Sequence, residues 1–229
     1  MSKPTLDEII EVYMKASTAV VGDIIRSMGN PAIVCDPKIK SAKPDWRFCG
    51  QAYTLQYQPY RKGDVDEVRK LIEKPKEKGV VVVATYDSIK DLVYWGDNMN
   101  SQAKATGAIA RIVDGNSRDI RDHIEDDFPL FLRNATSGAI YGVYKPISNI
   151  VNVPVVFGGV RCEPGDIVMG DDDGIIIVPR KEAEKSLSHI LWKIEMEKKL
   201  GDASRKADWK ARGKIMKEQK DYMAKLKDL

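Results

Sequence analysis

The 229-residue chain has little of what staples small exported folds or carries most proton chemistry. Cysteine occurs three times, at Cys35, Cys49 and Cys162, widely separated and never as a CxxC pair. Neither a disulfide framework nor a zinc knuckle is supported, and a reducing, cytoplasmic setting is the simplest expectation. Histidine occurs only as His123 and His189, and no spacing elevates a Ser-His-Asp triad. No apolar run approaches the roughly 18 residues of a membrane span. The opening "MSKPTLDEIIEVYMKAS" places acids early and has no apolar signal core, so no membrane association is expected. G-x-G-x-x-G and G-x-x-x-x-G-K-[ST] are both missing, which leaves nucleotide cofactors without motif support. Charge of one sign is also scarce: 37 basic against 34 acidic residues gives +3.

What is present is a globular composition, 43% hydrophobic and 31% charged, in a chain long enough to bury a substantial core unaided. The charge is unevenly placed. Lys181 to Leu229 carries 14 Lys plus Arg and 9 Asp plus Glu, so the tail is net +5 and the preceding 180 residues are net −2. Because the tail's bases are interleaved with acids, only weak affinity for nucleic acid is expected.

Along the chain, Thr5 to Met28 reads as helical, with Ser17-Thr18 capping a second helix that ends at Gly29. Prolines and glycines make 30–50 loop-rich. "QAYTLQYQP" alternates as a strand, and "DEVRKLIEKPKEKG" reads as a helix stopped by Pro75, followed by the apolar run "VVVVATY". Helix then strand recurs at "MNSQAKATG" and "AIARIVDG", the texture of a sheet covered on both faces. Beyond them, "GAIYGVYKPI", "VPVVFGG", "DIVMGD" and "GIIIVP" are short strands separated by "EPGD" and "DDDG" turns, as in a second sheet or partial barrel. "FGGV" reads as a tight turn. The tail predicts one helix with Ala183, Leu187, Ile190, Leu191 and Ile194 as its stripe, broken at Gly201, with Asp202 or Ser204 capping the next. That next helix repeats Trp209, Met216 and Met223 every seven residues, a stripe that should pack on the body or on a neighbouring subunit.

The chemically suggestive stretch is "DGNSRDIRDHIEDDFP", Asp114 to Pro129, which follows the apolar "GAIARIV". Ligands favour the crevice beyond the carboxyl ends of such strands. Asp119 and Asp122 share a face if a helix starts at Ser117 or Asp119, and carboxylate oxygens suit Mg²⁺ or Mn²⁺. Arg118 offers a planar fork to a substrate carboxylate. Ordinary helix capping, with Arg118 paired to Asp114 or Asp122, accounts for the same residues. In "YWGDNMNSQ", Gly96 permits a tight turn, and the amides of Asp97, Asn98, Met99 and Asn100 can cradle an anion. Here too Asp97 could be a plain N-cap.

Taken together, "STAVVGDIIRSMG", "GQAYTL", "WGD", "GAIARIVDGNSRD", "FPLF" and "PVVFGGVRCEPGDIVMGDDDGIIIVP" resemble, from about Ser17 to Arg180, the RraA-like family. That family includes class II 4-hydroxy-4-methyl-2-oxoglutarate / 4-carboxy-4-hydroxy-2-oxoadipate aldolases. The most specific feature is a glycine, some twenty residues, then Arg-Asp, two residues and an acid: Gly96, Arg118, Asp119 and Asp122. The resemblance implies a three-layer α/β/β sandwich of swivelling-domain type over 1–180, with a C-terminal helical extension over 181–229. It implies trimers or hexamers with sites between subunits. Asp119 resembles the direct ligand of Mg²⁺ or Mn²⁺, Asp97 a ligand through water, with Asp122 as a further candidate. Arg118 and the backbone from Gly96 to Asn100 resemble the substrate-binding groups. A 2-oxo acid would chelate the metal, and cleavage of a 4-hydroxy-2-oxo dicarboxylate, or decarboxylation of oxaloacetate, would give pyruvate through a metal-stabilised enolate. A neighbour's glutamate, here Glu195 or Glu197, would assist the aldol direction. Relatives also include a regulator that inhibits an RNA-degrading enzyme, which keeps a non-catalytic interaction module as the alternative. "DGNSRD" stands where the family commonly has "DGAVRD", and "FPLFLRN" where it has "FPVFARG", so Asn116, Ser117 and Asn134 depart from the pattern.

Overall fold

The computed structural model describes residues 3–30, 33–59, 77–85, 93–138, 144–145 and 152–228. The chain opens with helices α1 (Leu6–Met14) and α2 (Thr18–Ser27), followed by strands β1 (Lys40–Ser41), β2 (Phe48–Gln56), β3 (Gln58–Pro59) and β4 (Gly79–Ala84). Next come helix α3 (Asp97–Ala105), strand β5 (Ala108–Ser117), the short helix α4 (Ile120–Glu125) and strands β6 (Leu130–Ala135) and β7 (Tyr144–Lys145). Strands β8 (Val155–Phe157), β9 (Val160–Cys162), β10 (Ile167–Asp171) and β11 (Gly174–Val178) precede two C-terminal helices, α5 (Arg180–Arg205) and α6 (Trp209–Lys225). The expected helix over "DEVRKLIEKPKEKG" and most of "GAIYGVYKPI" lie outside the described residues.

Local chemistry explains the start. Thr5 and Glu8 form a reciprocal capping box at α1, the Thr5 hydroxyl accepting from the Glu8 amide and the Glu8 carboxylate accepting from the Thr5 amide at 2.7 Å. Ser17 caps α2, accepting from Val20 N, and Gly29, at φ 91°, follows its end. The Asp171 carboxylate accepts from both the amide and hydroxyl of Thr18, at 2.8 and 2.7 Å, which fastens α2 to the β10–β11 turn.

Among the described residues, seven strands form one mixed sheet in the order β1-β6-β5-β4-β2-β10-β11. The four central strands, β6, β5, β4 and β2, run parallel, with antiparallel strands at the flanks. Every residue of β4 is buried, as a strand covered on both faces requires. Alternation divides β10 and β11 between two cores. Ile167, Met169, Ile176 and Val178 pack with Ile9, Tyr13, Ile24 and Ile25 of α1 and α2 and with Ala183 and Ile190 of α5. Val168, Ile175 and Ile177 face the other core with β4, β5, Trp95 and the β8–β9 hairpin. Gly158 and Gly159 turn that hairpin at φ 54° and 81°, as expected for "FGGV"; a Cβ on Gly158 would sit 2.9 Å from Cys35 Cβ.

The tail departs from expectation in one respect. Helix α5 continues through Gly201 to Arg205, and neither Asp202 nor Ser204 starts the next helix. That cap is Asp208, which accepts from Ala211 N at 2.9 Å. A mid-helix glycine costs about 1 kcal/mol against alanine. Met196 and Ala203, buried on either side of it, keep the helix seated. The seven-residue stripe of α6 is also divided: Met223 packs on the α1–α2 core, whereas Trp209 is 68% and Met216 45% exposed.

Candidate functional site

The site is built where β5 ends. Between Val113 and Asn116 the β5–β6 register shifts, a bulge that re-aims the following residues. The Tyr94 amide donates to Asn116 O at 3.1 Å, and Ser117 Oγ donates to Trp95 O at 3.2 Å. The turn carrying Gly96 is thereby hung on the carboxyl end of β5. Gly115 lies under the Tyr94 ring, where a Cβ would meet Tyr94 Cδ2 at 2.8 Å.

On this frame Asp119 takes the left-handed conformation, φ 59° and ψ 39°, at the N-cap of α4, yet its side chain makes no cap bond to that helix. Asp residues tolerate that region better than most, but it remains an uncommon backbone choice. The carboxylate turns instead toward the Gly96 turn. Asp119 Oδ2 accepts from the Asp97 amide at 3.2 Å and from Arg118 Nε at 3.2 Å. A Cβ on Gly96 would lie 2.9 Å from that same oxygen and 3.3 Å from Arg118 Nε, so only glycine leaves the three groups this close. Gly96 is the N-cap of α3 with no side-chain cap bond, which makes Asp97 the first helical residue and not the cap. The Asn100 amide closes the first turn on Gly96 O at 3.3 Å, leaving the amides of Asn98 and Met99 facing outward as the orphan donors of a helix start. A cavity of about 200 Å³ lies here, lined by Trp95, Gly96, Asp97, Asn98, Met99 and Arg118. The Arg118 and Asp119 side chains are 36% and 29% exposed, accessible to a small molecule.

Beneath this surface is a layer that sequence reasoning missed. Arg111, in the middle of β5, is fully buried and stacks on Trp95 with its guanidinium carbon 5.1 Å from the ring centre. Its Nη2 donates to Ser117 Oγ at 2.9 Å and reaches His123 Nε2 at 3.0 Å. Burial pushes Arg111 well below the ordinary arginine range. His123, also fully buried, is pushed down to about 3 by burial and then by Arg111, so the ring is neutral and has no role as an exposed base. An arginine inside "GAIARIV" signals only an interrupted apolar run; its partners meet it through the β5 bulge and α4.

Of the residues expected at the site, Gly96, Asp97, Asn98, Met99, Arg118 and Asp119 come together around one turn. Asp122 is exposed on α4, and among the described residues no three His, Cys, Asp or Glu side chains group closely enough to cage an ion. Arg118 pairs with Asp119 and not with Asp114, whose carboxylate takes Arg133 Nε and the Gly158 amide. Asn134 is exposed, and Asn116 and Ser117 are buried. In the tail, Glu197 is held by Lys193 at 2.8 Å and Gln219 at 3.4 Å, whereas Glu195 is exposed and pairs with Lys199.

Comparison with known proteins adds a lineage to this geometry. A family model described as RraA-like, Aldolase/RraA, matches residues 18–177. A protein of Halalkalibacterium halodurans that carries the name 4-hydroxy-4-methyl-2-oxoglutarate aldolase is 31% identical over 188 residues, 82% of this chain and 83% of its own. Among solved structures, one described as a cellulase from microbes associated with the gut ecosystem superposes with a TM-score of 0.79 at 26% identity, covering 87% of this chain and 89% of its own. Streptomyces coelicolor RraAS2, described as an unusual member of the RNase ES inhibitor RraA protein family, gives a TM-score of 0.75 at 24% identity, covering 86% and 97%. The architecture is therefore the swivelling type: an α/β sandwich with a mixed sheet and C-terminal helices.

Proposed function

Because the chain belongs to the RraA-like family, we propose that it is a divalent-metal-dependent carbon–carbon lyase acting on a small 2-oxo acid. The observation that carries this reading is the meeting of one carboxylate, one guanidinium and one backbone amide around Gly96, at the mouth of a cavity sized for a small acid. Zinc needs three protein ligands even at an open site, and this turn does not supply them. Mg²⁺ and Mn²⁺ accept one or two carboxylates and keep several waters, which suits Asp119 as a direct ligand and Asp97 as one through water. Bound there, such an ion supplies positive charge against the negative charge that develops on the keto oxygen.

The chain's own groups do the rest. Arg118 presents two parallel donors to the substrate carboxylate, and the outward amides of Asn98 and Met99 complete its cradle. Holding the 2-oxo acid by that end fixes the C3–C4 bond relative to the keto group. In oxaloacetate the C3–C4 bond breaks, its electron pair stays with the three-carbon fragment, CO₂ leaves, and a proton from water completes pyruvate. No base is required. A 4-hydroxy-2-oxo dicarboxylate would also need its C4 hydroxyl proton removed, for which Glu195 or Glu197 of a neighbouring copy is the candidate. Glu195 is the more exposed of the two and pairs with Lys199, whereas Glu197 is bound by Lys193 and Gln219 within the helical hairpin. Assembly as a trimer or hexamer belongs to this reading. A second reading, an interaction module without catalysis, is favoured by the exposure of Trp209 and Met216 on α6.

The test is pyruvate release from oxaloacetate with Mg²⁺ or Mn²⁺, followed through lactate dehydrogenase and corrected for spontaneous decarboxylation. Asp119→Ala should abolish metal-dependent turnover. Arg118→Ala should lower turnover while Mn²⁺ still binds by calorimetry, and Arg118→Lys should recover only part, because a point charge cannot reproduce the fork. Turnover that survives both EDTA and Asp119→Ala would sink the mechanism.

A further inference from the structure

Arg111 is expensive where it stands. A buried guanidinium loses its hydration, and the effective penalty is on the order of several kcal/mol per ion unless a counter-ion and full hydrogen bonding offset it. Arg111 makes no ion pair among the described residues, and its Nε and Nη1 have no hydrogen-bond partner. It is stabilised by the Trp95 ring face, by two contacts through Nη2 and by the more distant charge of Asp119. A leucine or methionine would fill the same volume without that penalty, so packing does not explain the residue.

Its contacts suggest an explanation. Ser117 and His123, the two groups Nη2 touches, bracket the Arg118–Asp119 pair in sequence. Ser117 Oγ accepts from Arg111 and spends its own proton on Trp95 O, immediately before Gly96. The His123 ring accepts at Nε2, and its backbone amide donates to Asp119 O at 3.3 Å. One guanidinium thus holds both walls of the cavity from beneath: the strand end that carries Arg118 and Asp119, and the turn that carries Gly96 and Asp97. We propose that Arg111 is a positioning residue that fixes the left-handed backbone of Asp119 and the spacing of Asp119 from the Gly96 turn, acting through Ser117 and His123. Its consequence for turnover rests on the lyase reading above; its geometry does not.

Two variants test it in the full-length protein. Arg111→Met keeps the volume and removes the charge and donors; Ser117→Ala removes the bridge to Trp95 O and carries the test should Arg111→Met fail to fold. Each should weaken Mn²⁺ binding, read by calorimetry, by about ten- to a hundredfold, the usual effect of removing groups that orient a ligand. Turnover should fall in the same range, with Arg111→Lys recovering part of both. An activity-independent readout is the ¹⁵N spectrum of the His123 ring. The native protein should show the neutral form protonated at Nδ1, because Nε2 is occupied by Arg111, and Arg111→Met should shift the proton to Nε2. Folded Arg111→Met with native Mn²⁺ affinity and native turnover overturns the proposal, as does an unchanged His123 tautomer. Wild-type protein that binds Mn²⁺ but releases no pyruvate overturns the lyase reading alone, and positioning is then decided by Mn²⁺ affinity and tautomer. Wild-type protein that binds no Mn²⁺ overturns the lyase reading, and positioning is then decided by the His123 tautomer.

Discussion

Gly96 and Asp119 show how much of the site rests on single atoms. At φ −142° the Gly96 backbone is open to any residue, so its glycine is required by space and not by conformation. Gly96→Ala therefore separates folding from function. The added methyl group would stand 2.9 Å from Asp119 Oδ2 and 3.3 Å from Arg118 Nε, both side-chain ends that can give way. Thermal stability should stay within a few degrees of wild type. Displacing the carboxylate and guanidinium by a few tenths of an ångström to one ångström should lower turnover by about ten- to a hundredfold. Native turnover in Gly96→Ala would mean that the close approach at Gly96 is packing without a functional role. This part of the site is legible in the sequence, since "WGD" and "SRD" are short motifs whose residues meet locally. Arg111 is not. Nothing in its neighbours along β5 announces a partner, because Trp95 and His123 reach it only through the fold.

At the scale of elements, the bounds of α2 and the burial of β4 follow from local signals that agree with one another, whereas β10 and β11 join the main sheet and not a second one. Ser17 and Gly29 bracket α2, and the all-apolar β4 reads correctly as a strand covered on both faces. Helix α5 is where a local signal loses: Gly201 marks a break, yet burial of Met196 and Ala203 outweighs about 1 kcal/mol of glycine propensity. The tail is also more than an appendage, since Ala183 and Ile190 sit in the same core as β10 and β11. A chain ending at Arg180 would expose that core face and should not melt cooperatively. One ending at Ala207 keeps α5 but loses the cover given by Tyr222, Met223 and Leu226. Removing that packing, about 3 kcal/mol of apolar burial, should lower the melting temperature by about 6–12 °C in a domain this size. Sedimentation of the same protein tests assembly, because Trp209 and Met216 leave with α6 and an exposed apolar stripe favours association. A chain ending at Ala207 that sediments and melts like the full chain would show that α6 neither covers nor assembles the molecule.

For the molecule as a whole, the buried Arg111–His123 contact ties stability to pH. His123 titrates near 3 in the folded state, against about 6.5 unfolded. Below 6.5 the unfolded chain binds a proton that the folded chain refuses, so this contribution is complete above pH 6.5 and is lost as pH falls toward 3. At pH 5 the loss should reach about 2 kcal/mol, from 1.36 kcal/mol per unit over the interval below 6.5. His189 is shifted the same way by burial and adds to the slope in the same window. Asp36, held low by its hydrogen bonds from the Lys38 amide and Arg133, acts only below the ordinary carboxylate range. Asp166, raised by burial, works in the opposite sense and also near that range. A variant is needed to isolate His123. His123→Gln can keep an acceptor for Arg111 Nη2 but cannot take up a proton. Urea unfolding from pH 8 to pH 5 should show the wild type losing more stability than His123→Gln, with the two curves converging as pH falls even if the variant starts lower. Parallel curves across that interval would mean that His123 is protonated without penalty, and the neutral, buried ring that Arg111 is built upon would have to be abandoned.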